Sequence, residues 1–200
     1  MQRKHITGIL IVVALLLATV GTAIAQGPNE KGPEASAPSR VDGPLLGPVV
    51  NGTLDAGDPT FNRPVATSTV TPACASAWVL STIGTAVYYE AYAFHVTDTS
   101  PIQIEVTAGG TTILDTWLAV YCNPFNPATP LANGVIADDD DGAIFLSAIT
   151  LADNVTLTPG NTYWAVITTF GNGETGDYEL TFSDNVVMEP LAVTLASFDA

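Results

Sequence analysis

The hydrophobic pattern divides the chain into three regimes. Residues 6–20 form an almost unbroken apolar stretch behind Arg3, Lys4 and His5. Residues 26–48 carry few large apolar side chains and are cut by Gly27-Pro28, Gly32-Pro33, Gly43-Pro44 and Gly47-Pro48. From residue 49 to 183, short runs rich in Val, Ile, Thr, Tyr and Phe alternate with Gly, Asn, Asp and Pro, and no helical spacing recurs. That last pattern predicts β-strands joined by turns.

Within it, residues 89–97 place Tyr92, Phe94 and Val96 on one face and Ala91, Ala93, His95 and Thr97 on the other. Residues 102–107 put Ile102, Ile104 and Val106 inward and Gln103, Glu105 and Thr107 outward, followed by a tight turn at Gly109-Gly110. A strand over 115–122 presents Leu118, Val120 and Cys122 to the core. The three prolines of 123–130 require a loop. Residues 144–151 read equally as a strand or an irregular apolar segment. Residues 154–158 lead to a turn at Pro159-Gly160 and a fully buried strand over 162–170. Residues 171–176 form a glycine-rich hairpin loop, and Tyr178, Leu180 and Phe182 close the domain as a half-buried strand. Seven or eight strands at this spacing predict a sandwich of two antiparallel sheets.

The ends change the picture. A basic start, a short apolar core and small residues at Ala23 and Ala25 predict a signal peptide over 1–25, cleaved before Gln26. The apolar core is shorter than the roughly 20 residues of a transmembrane helix, so no membrane insertion is expected after cleavage. Residues 26–48 read as a flexible linker, 49–184 as one domain, and 185–200 as a further linker with an extra strand. Cleavage leaves three Lys and Arg against twenty Asp and Glu, a net charge near −17. Such a surface repels phosphate, which excludes nucleic-acid binding. An extracellular or cell-surface location makes a Cys74–Cys122 disulfide the default, with free thiols the alternative.

Five segments occur in the order found in the bacterial pre-peptidase C-terminal domain. Residues 88–96 resemble its first Tyr-x-Phe strand, and Asp115-Thr116-Trp117-Leu118-Ala119-Val120-Tyr121 its D-T-x-L-x-[LV]-[YF] strand. Residues 138–142 resemble its acidic turn. Leu157-Thr158-Pro159-Gly160 with Tyr163-Trp164 is similar to its L-x-P-G-x-Y-Y segment, and Gly176-Asp177-Tyr178-Glu179-Leu180 to its closing strand. The resemblance implies an all-β, jelly-roll-like sandwich of about seven to nine strands. It also implies a non-catalytic role beside extracellular enzymes, with calcium binding in collagen-binding relatives. An insertion carrying Cys74 and Trp78 before the Tyr-x-Phe strand departs from the family pattern.

The sharpest candidate chemistry is the run Asp138, Asp139, Asp140 and Asp141. Hard cations such as Ca²⁺ take six to eight oxygens. Ala137 and Ala148 fall where an EF-hand needs carboxylates, so a site here would be of the sandwich-loop kind. Asp138 and Asp140, two apart on an extended segment, would share a face with Asp115 as partner, leaving Asp139 and Asp141 to face solvent or to support a second cation position. The bland alternative is a solvated charged turn. Trp117 and Tyr121 share the face opposite Leu118 and Val120, a candidate exposed platform for sugars or peptides, whereas most aromatics simply fill a core. His95 lies on the solvent side without a nucleophile beside it, and no G-x-S-x-G occurs. Glu90 and Glu105 read as outward strand carboxylates rather than a glycosidase pair. The expectation is therefore a secreted, non-catalytic accessory or binding module, calcium-stabilised, whose partner is an extracellular protein or polysaccharide. A structural or adhesive surface protein and an unrecognised hydrolase stand as alternatives.

Overall fold

The computed structural model describes residues 45–66, 74 and 77–190. The predicted signal peptide, most of the 26–48 linker and the segment after Pro190 lie outside them. Ten strands follow in order: β1 (Val49–Leu54), β2 (Thr60–Phe61), β3 (Val87–Val96), β4 (Ile104–Val106), β5 (Thr116–Cys122), β6 (Gly134–Asp138), β7 (Ala148–Ile149), β8 (Tyr163–Thr169), β9 (Gly176–Phe182) and β10 (Val186–Met188). One 3-10 turn at Leu151–Asp153 is the sole helical element among the described residues. One sheet runs β1-β9-β4-β7. The other runs β10-β3-β8-β5-β6, with β2 also on β3. Every strand pair is antiparallel. The chain is thus an all-β, two-sheet antiparallel sandwich.

The alternating strands build the main core. Phe94, Val96, Ile104, Val106, Leu118, Val120, Ile167, Leu180 and Phe182 meet between the sheets and are buried. This is the non-directional gain of removing apolar surface from water, and period two aims every second side chain at it. Strands β5 and β8 are apolar on both faces because the six-stranded sheet is covered twice. Its outer face carries a second cluster of Phe61, Trp78, Val87, Trp117, Ala119, Tyr121 and Val166. Residues from the 55–86 region and the 123–130 loop form the lid: Trp78 meets Tyr121 edge-on at 5.1 Å, and Phe125 meets Tyr121 at 4.8 Å. Arg63 is fully buried there, donating to the carbonyl oxygens of Phe170 and Pro64, with its guanidinium 4.5 Å from the Phe170 ring centroid. Cys74 lies at disulfide distance from Cys122 at the end of β5, with a Cα separation of 5.8 Å, which staples this lid to the sheet.

Two expectations change, and the open reading of residues 144–151 is settled. The Gly109-Gly110 turn is no hairpin: β4 and β5 belong to different sheets, and neither glycine has positive φ. Only Ala148 and Ile149 of residues 144–151 become strand. Ahead of the Pro159-Gly160 turn, Val155 and Leu157 enter the core. The sandwich also continues past residue 184, because β10 pairs with β3 and buries Val186 against the core.

Candidate functional site

Trp117 and Tyr121 lie on the predicted face, opposite Leu118 and Val120, but both are fully buried. The lid covers them, and the Tyr121 hydroxyl donates to the Pro130 carbonyl at 3.0 Å. They form core, and no platform exists at this pair.

The acidic turn is not a solvated one. Asp138 ends β6 opposite Leu118, and its Oδ2 accepts the amides of Ala148 at 2.8 Å and Asp141 at 3.1 Å. Burial, then the charge of Asp141, pushes the Asp138 carboxyl up to about 8. Burial and the charge of Asp153 raise Asp141 as well. Asp139 and Asp140 are 2% and 8% exposed, so Asp139 does not face solvent. Strand geometry ends at Asp138, and the bends that follow break the two-residue alternation on which that placement rested. Asp115 also acts on Glu174, whose carboxyl is raised by burial and then by that charge. The turn gathers Asp138 to Asp141 with Asp153. Among the described residues, no three His, Cys, Asp or Glu side chains converge to hold a metal ion.

The sequence reading missed a different site. Two adjoining cavities, about 600 Å³ and 580 Å³, open along the side of the sandwich where β1 faces β3. Asn51 and Tyr92 line both. Val49, Val50, Trp164 and Met188 make the first largely apolar, whereas Asp58, Tyr89 and Glu90 line the second. Glu90 shares its face of β3 with Tyr92 and Phe94, so it points between the sheets rather than outward. Its Oε2 accepts the hydroxyls of Tyr92 and Tyr178, which stand 2.5 Å from one another. Burial, then the bond to Glu90, raises the pKa of both phenols, holding them as donors. Gly52 makes room for this cluster: a Cβ there would lie 2.9 Å from Glu90 Oε2 and overlap the Tyr178 ring. The signal was present in the sequence, since Glu90 is two residues from Tyr92 and four from Phe94. Glu105 stands in the other sheet, on the strand face opposite buried Ile104 and Val106, so no glycosidase pair forms. His95 bonds Glu189 at 2.8 Å through Nδ1 on the rim of the first cavity.

No family model matches the chain, and neither a curated protein nor a solved structure matches it. Among the described residues, no helix is long and apolar enough to cross a membrane.

Proposed function

We propose that the chain is a secreted, non-catalytic binding module that takes its ligand in the groove between β1 and β3. The groove carries the reading: a largely apolar cavity of some 600 Å³ adjoins a second cavity lined by Asp58, Glu90 and Tyr92. A mostly apolar cleft with a few convergent polar groups is the usual form of a binding site. The tyrosine hydroxyls are bonded to Glu90 with raised pKa, so neither is poised as a nucleophile. The order of motifs resembling the pre-peptidase C-terminal domain supports an extracellular accessory role. So does the pairing of Cys74 with Cys122, since disulfides persist in oxidising compartments.

Calcium stabilisation is proposed on donor chemistry. Five carboxyls crowd the 138–153 region, and Arg63, the one Lys or Arg among the described residues, is occupied by carbonyl oxygens. A cation would relieve that repulsion, with Asp138, Asp139, Asp140 and Asp141 as the ligand pool and Asp115, at the start of β5, as the candidate partner. The functional reading is tested by a broad screen of peptidase, esterase and glycosidase substrates on exported protein. It predicts no turnover. Turnover that Glu90→Gln abolishes, with folding intact, would make the groove an active site.

A further inference from the structure

The geometry points to an extended protein segment as the ligand, added as a strand to the open edge of β1 with an Arg or Lys side chain seated at Glu90. This rests on the reading of the groove as a binding site and supplies its ligand class. Among the described residues β1 ends its sheet. The Pro48 carbonyl accepts the Phe182 amide, so in the two-residue rhythm of an antiparallel ladder Val50 and Gly52 face β9. Val49 and Asn51 therefore turn their amides and carbonyls outward along the groove.

The opposite wall is also open. The Glu189 amide bonds the Ala93 carbonyl, and the Tyr89 amide bonds the Pro59 carbonyl. Ala91 lies between these bonds, where neither β10 nor β2 reaches it. Natural edge strands are usually blunted by Lys, Pro or a bulge. The edge Val49-Val50-Asn51-Gly52-Thr53-Leu54 carries no charge and no Pro, and pairs with β9 in unbroken register. Such an edge is the template that strand-adding partners use, with main-chain bonds giving affinity and alternate side-chain pockets giving specificity.

Charge decides which side chain fits. Asp58, Glu90 and Glu189 line the groove, and among the described residues no Lys or Arg does. Tyr92, which bonds Glu90 and lines both cavities, adds an aromatic ring beside the carboxylate for a guanidinium to lie on. Val49 and Val50 line only the apolar cavity, Gly52 only the acidic one, and Asn51 both. The cavities are thus offset by about two residues along β1, roughly 7 Å at the rise of a strand. A bound strand repeats its side chains on one face at that same interval. The motif that fits is therefore basic-x-aliphatic.

The test titrates the exported, isotope-labelled chain with an acetylated Thr-Val-Thr-Arg-Thr-Val-Thr amide and with the same peptide carrying citrulline for Arg. The inference predicts saturable shifts and slowed hydrogen exchange at the Val49, Asn51 and Ala91 amides, with the citrulline peptide at least tenfold weaker. Glu90→Gln should bring the Arg peptide down to the citrulline affinity. Asp58→Asn with Glu189→Gln, on the groove walls, should weaken it in the same direction if Glu90→Gln fails to fold. Equal affinity for the two peptides, or protection that spares Val49 and Asn51, would overturn the inference. If cellohexaose shifts the groove and the peptides do not, the ligand class falls while the binding-module reading stands. If neither moves the groove, both fall.

Discussion

Replacing Asp138 by Asn should make the domain less sensitive to alkali. The carboxyl sits near 8 in the folded chain against 3.8 when exposed, raised chiefly by burial. Below pH 3.8 both states hold the proton and the group contributes nothing to stability. Between pH 4 and 8 the unfolded chain releases it while the folded chain keeps it, so stability falls by about 1.4 kcal/mol per pH unit. Above 8 both are ionised and the penalty is constant. The accumulated loss has an upper limit of about 6 kcal/mol, or roughly 20 °C in melting temperature for a domain of this size. An Asn side chain keeps the oxygen that accepts the Ala148 and Asp141 amides. It carries no charge to bury. Melting curves of wild type and Asp138→Asn in chelator, at fixed ionic strength from pH 4 to 9, should start close together and diverge, with the variant more stable at pH 8. Taking the difference cancels the raised carboxyls that do not touch Asp138, Glu105 and Glu174, whereas Asp141, bonded to Asp138, shifts with the substitution. Parallel curves would refute the claim that Asp138 is buried with its proton.

Calcium binds ionised carboxylates, so at pH 8 a hundredfold excess over the dissociation constant should return about 2.7 kcal/mol to wild type and less to Asp138→Asn. A shift no larger than that from sodium chloride of equal ionic strength would leave the turn without a cation. Thiol labelling under denaturing, non-reducing conditions should find no free cysteine. Cys74→Ser should cost about 4 kcal/mol in denaturant titrations, as expected for a loop of 48 residues; no loss would mean the lid needs no staple. Trp117→Ala should cost about 3–5 kcal/mol, the range for a large aromatic removed from a core. A neutral effect would restore the exposed-platform reading.

The strands that were legible are those whose local pattern and tertiary fate agree. β3, β5, β8 and β9 carry either clean alternation or an unbroken apolar run. β6 escaped because it is five residues long, opens on Gly134 and ends inside the aspartate run. β10 escaped because Asp184-Asn185 reads as a terminus, whereas Asn185 is buried and bonded to the Ser183 hydroxyl and the Ser100 carbonyl. The faces of Trp117 and Tyr121 were read correctly and their surroundings were not. Whether a sheet face meets water depends on a distant lid, and residues 55–86 have too little periodicity to announce one. Glu90 fails for a related reason. Strand parity places it inward, but a carboxylate is ordinarily assigned to solvent, and its second tyrosine donor, Tyr178, becomes visible only once β9 pairs beside β1 in the facing sheet.

The groove between β1 and β3 is the centre of the account, and Trp164 is its reporter. Trp164 lines the apolar cavity, and its indole Nε1 donates to Asn123 Oδ1 at 3.1 Å. The direct measurement follows the Trp164 indole and the amides of Asn51, Ala91 and Ala93 by heteronuclear NMR as the arginine peptide is added to exported protein. The account predicts one saturable curve shared by all four signals, with the peptide recovered intact. Unmoved groove signals, or a peptide cleaved during the titration, would contradict it.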